Sequence, residues 1–317
     1  MEALRSECPL TWAAISQAEA TVCQTAGVQR TGLNWVICLR EVKAGVQKQL
    51  AQQVSEALRK RLLSTGSEDT RLAVRGASGT GTGGFLMPRQ EGDDRIPDGY
   101  FRTACLLRLG ADVCNPGERC QHRKVEDGTL CNEPLDPKGW HSRKCRCGGS
   151  RDARHNALRD WHSKFHKDIT GSTAPTEQRV VAWDRTHPDG RVEAAILDVC
   201  VRDPTTRQPL YVDWTVTCEH STNAPRRQSR ANNDGLAAAN QATKKHMRYP
   251  AEHGQLVPMA FESGGRAGEE AEEFIRSYGH GLSLADRARV IGTAWRQVSR
   301  TLQVGNAEMV ISSRGPA

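Results

Sequence analysis

The stretch whose reading decides the fold is Ala194–Cys218, "AAILDVCVRDPTTRQPLYVDWTVTC". It reads as two apolar strands joined by a polar turn, and each strand carries one acid, Asp198 and Asp213. Side chains alternate along a strand. Leu197, Val199 and Val201 are therefore expected on one side of the first strand, opposite Ile196, Asp198 and Cys200. In the second, Leu210, Val212, Trp214 and Val216 oppose Tyr211, Asp213, Thr215 and Thr217. Paired as a hairpin, the strands bring their acids together on one face. Two adjoining carboxylates repel unless a cation lies between them, and oxygen donors of this kind suit Mg2+. Such an ion activates water and offsets charge in phosphodiester hydrolysis. The same pattern also suits a solvated sheet face on which both acids are ordinary surface groups.

Downstream, "LAAANQATKKHMRYP" (Leu236–Pro250) reads as an Ala-rich helix stopped by proline. Steps of four, three and four put Ala238, Ala242, Lys245 and Tyr249 on one face. Lys245 is then the lysine that points with the small residues toward the sheet, while Lys244 points elsewhere. An ammonium there orients an attacking water or steadies a phosphate; a snorkelling surface lysine is the alternative. Glu177 opens the preceding strand and supplies another oxygen. The basic loop "APRRQSR", with Arg226, Arg227 and Arg230, suits a phosphate backbone or a plain charged surface. His187-Pro188-Asp189-Gly190 marks a tight turn between strands, "QLVPMAFES" (Gln255–Ser263) adds one more strand, and helices are expected over Ala267–Tyr278 and Ser283–Leu302.

Upstream, Cys120, Cys131, His141 and Cys145 lie within one short segment. Three thiolates and an imidazole form a common structural zinc set, and the H-x3-C pair suits one helical turn. The first spacing, C-x10-C, is wide, and Cys114 and Cys147 are near enough to substitute. "RGASGTGTGGF" (Arg75–Phe85) carries no Gly-Lys-Ser/Thr and reads as a flexible connector instead of a nucleotide loop. Apolar residues at steps of three and four from Asn34 to Leu63 predict an amphipathic helix, and residues 11–27 a shorter one.

The 317 residues carry a net charge of +7, which permits a polyanionic partner without requiring one. No run approaches the roughly 18–20 apolar residues of a membrane span, and the N-terminus lacks a signal-peptide pattern. A soluble nuclear or cytoplasmic protein is expected, neither secreted nor membrane-bound. In a reducing compartment the eleven cysteines favour metal ligation or free thiols over disulfides.

Taken in order, "GTGGFL", "FRTACLLRLG", the Cys–Cys–His–Cys knuckle, "CGGSRDARHNALRD", the two aspartate-bearing strands, "KKHMRY" and "LVPMAFESGGRAG" resemble the C-terminal region of non-LTR retrotransposon polyproteins. That region carries a restriction-enzyme-like endonuclease, and the resemblance spans residues 77–268. It implies an α/β (α+β) PD-(D/E)XK core, a mixed sheet flanked by helices, with an N-terminal helical and zinc-knuckle extension. Asp198 and Asp213 would be the metal-binding acids, with Mg2+ as catalytic ion and Zn2+ on Cys120, Cys131, His141 and Cys145. Leu197 replaces the motif's proline and Thr215 its lysine, so the resemblance assigns the lysine role to Lys245 on the following helix. Arg154 and His155 match the family's Arg-His, which contacts DNA or braces the site. The literal Pro188-Asp189 falls in a turn and is a decoy.

The implied organisation is a helical connector over 1–74, a Gly-rich loop and short helix over 75–113, a zinc knuckle over 114–150, the nuclease core over 151–270 and C-terminal helices over 271–317. The implied activity is Mg2+-dependent nicking of DNA, with DNA and element RNA as partners and no small-molecule cofactor. No Tyr-x-Asp-Asp polymerase motif is present, and the chain is expected to be the tail of an element, a fragment or a decaying copy. Two rivals stay open: a catalytically inactive nucleic-acid-binding remnant, and a zinc-stabilised structural or interaction protein.

Overall fold

The computed structural model describes residues 46–87 and 95–315, with isolated positions between 6 and 24. The chain divides into two units, Met1–Arg71 and Leu72–Ala317. In the first, α1 (Val46–Thr65) is the described part of the helix expected from Asn34. Its earlier turns, and most of the helix expected over 11–27, lie outside the described residues. α2 (Glu68–Gly76) starts where Ser67 Oγ accepts from Thr70 N at 3.1 Å.

The second unit is built on a four-stranded mixed sheet flanked by helices. In sequence order it comprises α3 (Asp98–Arg108), α4 (Trp140–Lys144), α5 (Ser150–Thr170), β1 (Thr176–Arg179), β2 (Arg185–Thr186), β3 (Val192–Glu193), β4 (Ile196–Arg202), β5 (Pro209–Thr217), α6 (Ala224–Asn232), α7 (Leu236–Arg248), β6 (Leu256–Glu262), α8 (Glu269–Ser277) and α9 (Leu284–Arg314). The sheet order is β1-β4-β5-β6, and β2 pairs only with β3 in a separate ribbon. β1–β4 and β4–β5 are antiparallel, and β5–β6 is parallel, joined by α6 and α7. Pro258 is tolerated in β6 because that strand is an edge.

One sheet face forms the main core. Val199, Val201, Leu210, Val212, Trp214, Met259 and Phe261 pack there against Leu158 and Phe165 of α5, Phe274 and Ile275 of α8, and Trp295, Val298 and Leu302 of α9. α9 begins where Ser283 Oγ accepts from Asp286 N and runs well past Leu302, since Met309 and Val310 still have buried positions to fill. The Gly-rich segment is no flexible connector. Thr82 and Phe85 are buried, and Gly81, at φ +74°, lies so close to Trp295 that a Cβ would meet its ring at 2.4 Å. Gly81 and Gly84 serve close packing against α9. Among the described residues no helix is long and apolar enough to cross a membrane.

Simple alternation fails at one point on β4. Leu197, Asp198 and Val199 are consecutively buried, and Leu197 joins Val180, Trp183, Ala195 and Tyr249 in a cluster separate from Val199. The β4–β5 ladder ends at Val199↔Val212, and just beyond it Trp214 N donates 2.6 Å to the side-chain Oδ2 of Asp198. Here a side-chain carboxylate, in place of a backbone carbonyl, accepts from a β5 amide.

Candidate functional site: two acids, a lysine and a thiolate cluster

The register that ends at Val199↔Val212 puts Asp198 level with Asp213, one step further along the two strands. Both are buried, at 9% and 4% exposure. The buried amide of Trp214 holds Asp198 Oδ2, and the His155 ring, carried by α5, donates from Nε2 to Oδ1 at 2.8 Å. Burial raises the Asp198 carboxyl, but the His155 hydrogen bond and charge, together with hydrogen bonds from Asp213 and the Trp214 amide, hold the group below its ordinary value. Asp213 is pushed up to about 6: burial raises it, the Asp198 charge adds, and Lys245 opposes. Two adjoining acids in one site separate in proton affinity in this manner.

Lys245 Nζ lies 2.6 Å from Asp213 Oδ2. It reaches there because Ala237 and Ala238 let α7 pack close to the sheet, and their face continues through Lys245 to buried Tyr249. Lys244 is exposed. Trp183 meets Tyr211 edge-on and Tyr249 at a tilt beside the acids, with ring centroids 5.3 and 5.4 Å away. Burial raises the Tyr249 hydroxyl, and the charge of Asp213 adds to it.

Glu177 sits between Thr176 and Gln178, whose partners are Val199 and Leu197, so it too is level with Asp198. Its backbone is left-handed at φ 54° and its side chain is largely exposed, ion-paired with Arg159. Lys245 and the two aspartates thus form one contact group, and Glu177 stands at its edge on an arginine tether.

Arg154 and His155 part company. Arg154 is buried, with its guanidinium 2.5 Å from Asn306 Oδ1 of α9. It braces the fold and is not placed to meet DNA. His155 is a partner of Asp198, a role that needs the folded sheet to be seen. The basic segment is also corrected: "APRRQSR" is helical in α6, started by Pro225 and by Asn223 Oδ1 accepting from Arg226 N. Arg226 is exposed and Arg227 half-buried. Arg230 is buried, donating to the carbonyls of Cys218 and Glu219, so it is withdrawn from any phosphate.

The second site is the thiolate cluster. Cys120 Sγ and Cys145 Sγ are 3.8 Å apart, Cys131 Sγ and Cys145 Sγ 3.8 Å, and Cys131 Sγ and His141 Nε2 3.5 Å. A disulfide would need about 2.05 Å. Tetrahedral zinc, with Zn–S near 2.3 Å and Zn–N near 2.0–2.1 Å, sets S···S at about 3.8 Å and S···N at about 3.5 Å. The four ligand atoms lie within 4.8 Å of one another, a set able to hold a metal such as zinc. The wide C-x10-C spacing is bridged by a hairpin: Cys131 N donates to His122 O, and Cys120 N to Glu133 O. His141 and Cys145 come from α4 and its end, where both Asp136 oxygens accept from the amides of Trp140 and His141. Cys114 lies outside the four, its thiol pushed up to about 11 by burial.

Beneath Asp198 runs a buried polar chain. Trp214 Nε1 donates to His162 Nδ1 at 3.1 Å, and both His162 Nε2 and His166 Nδ1 lie 2.9 Å from Tyr278 Oη. Burial lowers His162 to about 3 and His166 to about 4, so both rings are neutral. The indole can only donate, so the His162 ring hydrogen sits on Nε2, toward Tyr278. No protein-family model, curated protein or solved structure matches the chain.

Proposed function

We propose that this chain is a metal-dependent DNA endonuclease of the PD-(D/E)XK kind, of non-LTR retrotransposon origin, that nicks one strand. The observation that carries the reading is the meeting of two buried acids from paired strands with the lysine of the next helix, Nζ 2.6 Å from Asp213. Adjoining buried acids whose proton affinities are driven apart, beside a cation, are a common mark of a functional site.

Asp198 and Asp213 offer carboxylates on neighbouring strands, the oxygen type that a hard cation takes, and Glu177, held by Arg159, is level with Asp198 at the edge. A bound Mg2+ would supply an activated water and offset phosphate charge. Asp198 and Asp213 would hold it, and His155 and Trp214 N fix the Asp198 carboxylate in one orientation. Lys245, 27% exposed in its side chain, is open to solvent, and its ammonium could turn from Asp213 to a phosphate oxygen or an attacking water. Asp213 must be ionised to serve, so the reaction should gain rate as pH rises through about 6. The thiolate cluster would hold Zn2+ in a structural role, since its four protein ligands leave no open position.

The test pairs plasmid nicking with DNA binding for wild type and Asp198→Ala. Loss of nicking with retained affinity supports the nuclease; retained affinity with no nicking by the wild type leaves a binding remnant.

A further inference from the structure

The ribbon β2–β3, with the turn His187-Pro188-Asp189-Gly190, has no part in the chemistry above. From Arg185 to Ala194 every residue is exposed except half-buried His187. An isolated two-stranded ribbon without a core is at best marginally stable, so its order comes from its root. There Asp184 Oδ1 accepts from Ala195 N, and Arg179 pairs with Asp184. Arg248 of α7 donates to Trp183 O and pairs with Glu193, and Arg185 donates to Met247 O. The turn is closed by His187 N to Arg191 O and by Arg191 N to Asp189 Oδ1, both 2.9 Å.

This root abuts the two-acid site. Arg248 is three residues beyond Lys245, one helical turn. Glu193 is five residues before Asp198, and exposed Ile196, two residues before it, is roughly 7 Å away along β4. The ribbon then extends about 13 Å from Arg185 to its tip. Its acids are all engaged within the protein: Asp184 by Arg179, Glu193 by Arg248 and His187, Asp189 by the turn amide. Its cations are not neutralised. Arg185 meets only carbonyls, and the Arg191 side chain at the tip has no partner among the described residues. Arg191 and Asp189 share the tip, so the ribbon offers a free guanidinium without a net positive charge, and exposed Val192 stands beside Arg191.

We propose that the β2–β3 ribbon is a groove-inserting arm that makes duplex DNA the substrate, with Arg191 leading. The major groove, about 12 Å wide and 8.5 Å deep, admits a two-stranded ribbon of this length. A single strand has no groove for it to enter. The choice of polymer rests on the DNA-cleaving reading above, while the test is of binding alone.

Residues 187–191 are replaced by Asn-Gly, a two-residue turn that suits a hairpin. This removes Arg191 and Asp189 together, so formal charge is unchanged with His187 neutral. Affinity for a short duplex and for one of its strands is then measured without divalent metal at fixed salt. The expected result is a roughly tenfold or greater loss for the duplex and no change for the single strand. Equal effects on both, no effect, or no DNA binding by the wild type would overturn the arm. Should the shortened ribbon fail to fold by circular dichroism, Arg191→Ala is held to the same duplex-to-single-strand ratio. Because no cleavage is read, a wild type that prefers duplex but never nicks refutes the nuclease and leaves the arm standing.

Discussion

At Asp213 function and stability are set against each other. Its carboxyl titrates near 6 in the fold against an ordinary 3.8, so the folded state holds its proton more tightly than the unfolded chain. The sign follows from linkage: this stabilisation is complete below the unfolded value and is lost as pH rises through about 6. Asp213→Asn, which cannot ionise, should therefore raise the melting temperature at pH 8 without metal, by a few degrees for roughly 1 kcal/mol, while abolishing nicking. A lowered melting temperature would show that the ion pair with Lys245 outweighs desolvation. His155 acts on the other acid. Because it holds Asp198 below its ordinary value, His155→Ala should raise the apparent Mg2+ requirement severalfold, measured as the metal concentration for half-maximal nicking. Asp198 and Asp213 were legible in the sequence because two acids interrupt two apolar strands. His155 was marked only through the resemblance, as contacting DNA or bracing the site; its bond to Asp198 spans 43 positions of chain and depends on how α5 lies against the sheet.

At the scale of elements, the knuckle is welded to its neighbours. Gln121 N donates to Ser313 O, His122 meets Ser312, and Ser142 meets Ser313, all at the end of α9. Ser150, at the start of α5, also meets Ser312. Losing the metal should therefore loosen the helix that carries His155. Cys145→Ser is expected to lower the melting temperature by about 10 °C, and elemental analysis should find about one zinc per wild-type chain and less in the variant. Unchanged stability would confine the cluster to a detached surface loop. The four ligands were readable from residue type and from H-x3-C, whereas the wide C-x10-C spacing made sense only once the hairpin between Cys120 and Cys131 was seen. Helix α7 was readable for a plainer reason: its alanines and Lys245 repeat at helical steps. Helix α6 misled, because its arginines looked like loop and its start depends on Asn223 and Pro225. The Gly-rich segment misled likewise, since nothing local announces that Trp295 closes over Gly81.

Across the whole molecule, two imidazoles are sealed in the core between sheet and helices. His162 and His166 titrate near 3 and 4 in the fold, below the ordinary 6.5. Between those limits the unfolded chain binds protons that the folded one refuses, so stability should fall as pH drops from about 6.5 toward 4. Denaturant unfolding across that range checks this, and His166→Asn should flatten the slope by about one proton. Individual strands and helices were readable from alternation and helical steps, whereas a mixed sheet flanked by helices was what the resemblance implied. The burial of a polar Trp214–His162–Tyr278–His166 chain was not readable, because residues 112 positions apart meet only in the finished core. The central claim, that Asp198, Asp213 and Lys245 form a metal-dependent nuclease centre, is tested most directly by nicking of supercoiled plasmid with Mg2+. Wild type should convert it to open circles, chelator should stop it, and Asp213→Asn and Lys245→Ala should each lose at least a hundredfold in rate, on the order of one transition-state contact. Equal nicking by wild type and Asp213→Asn, or none by a folded wild type, would contradict it.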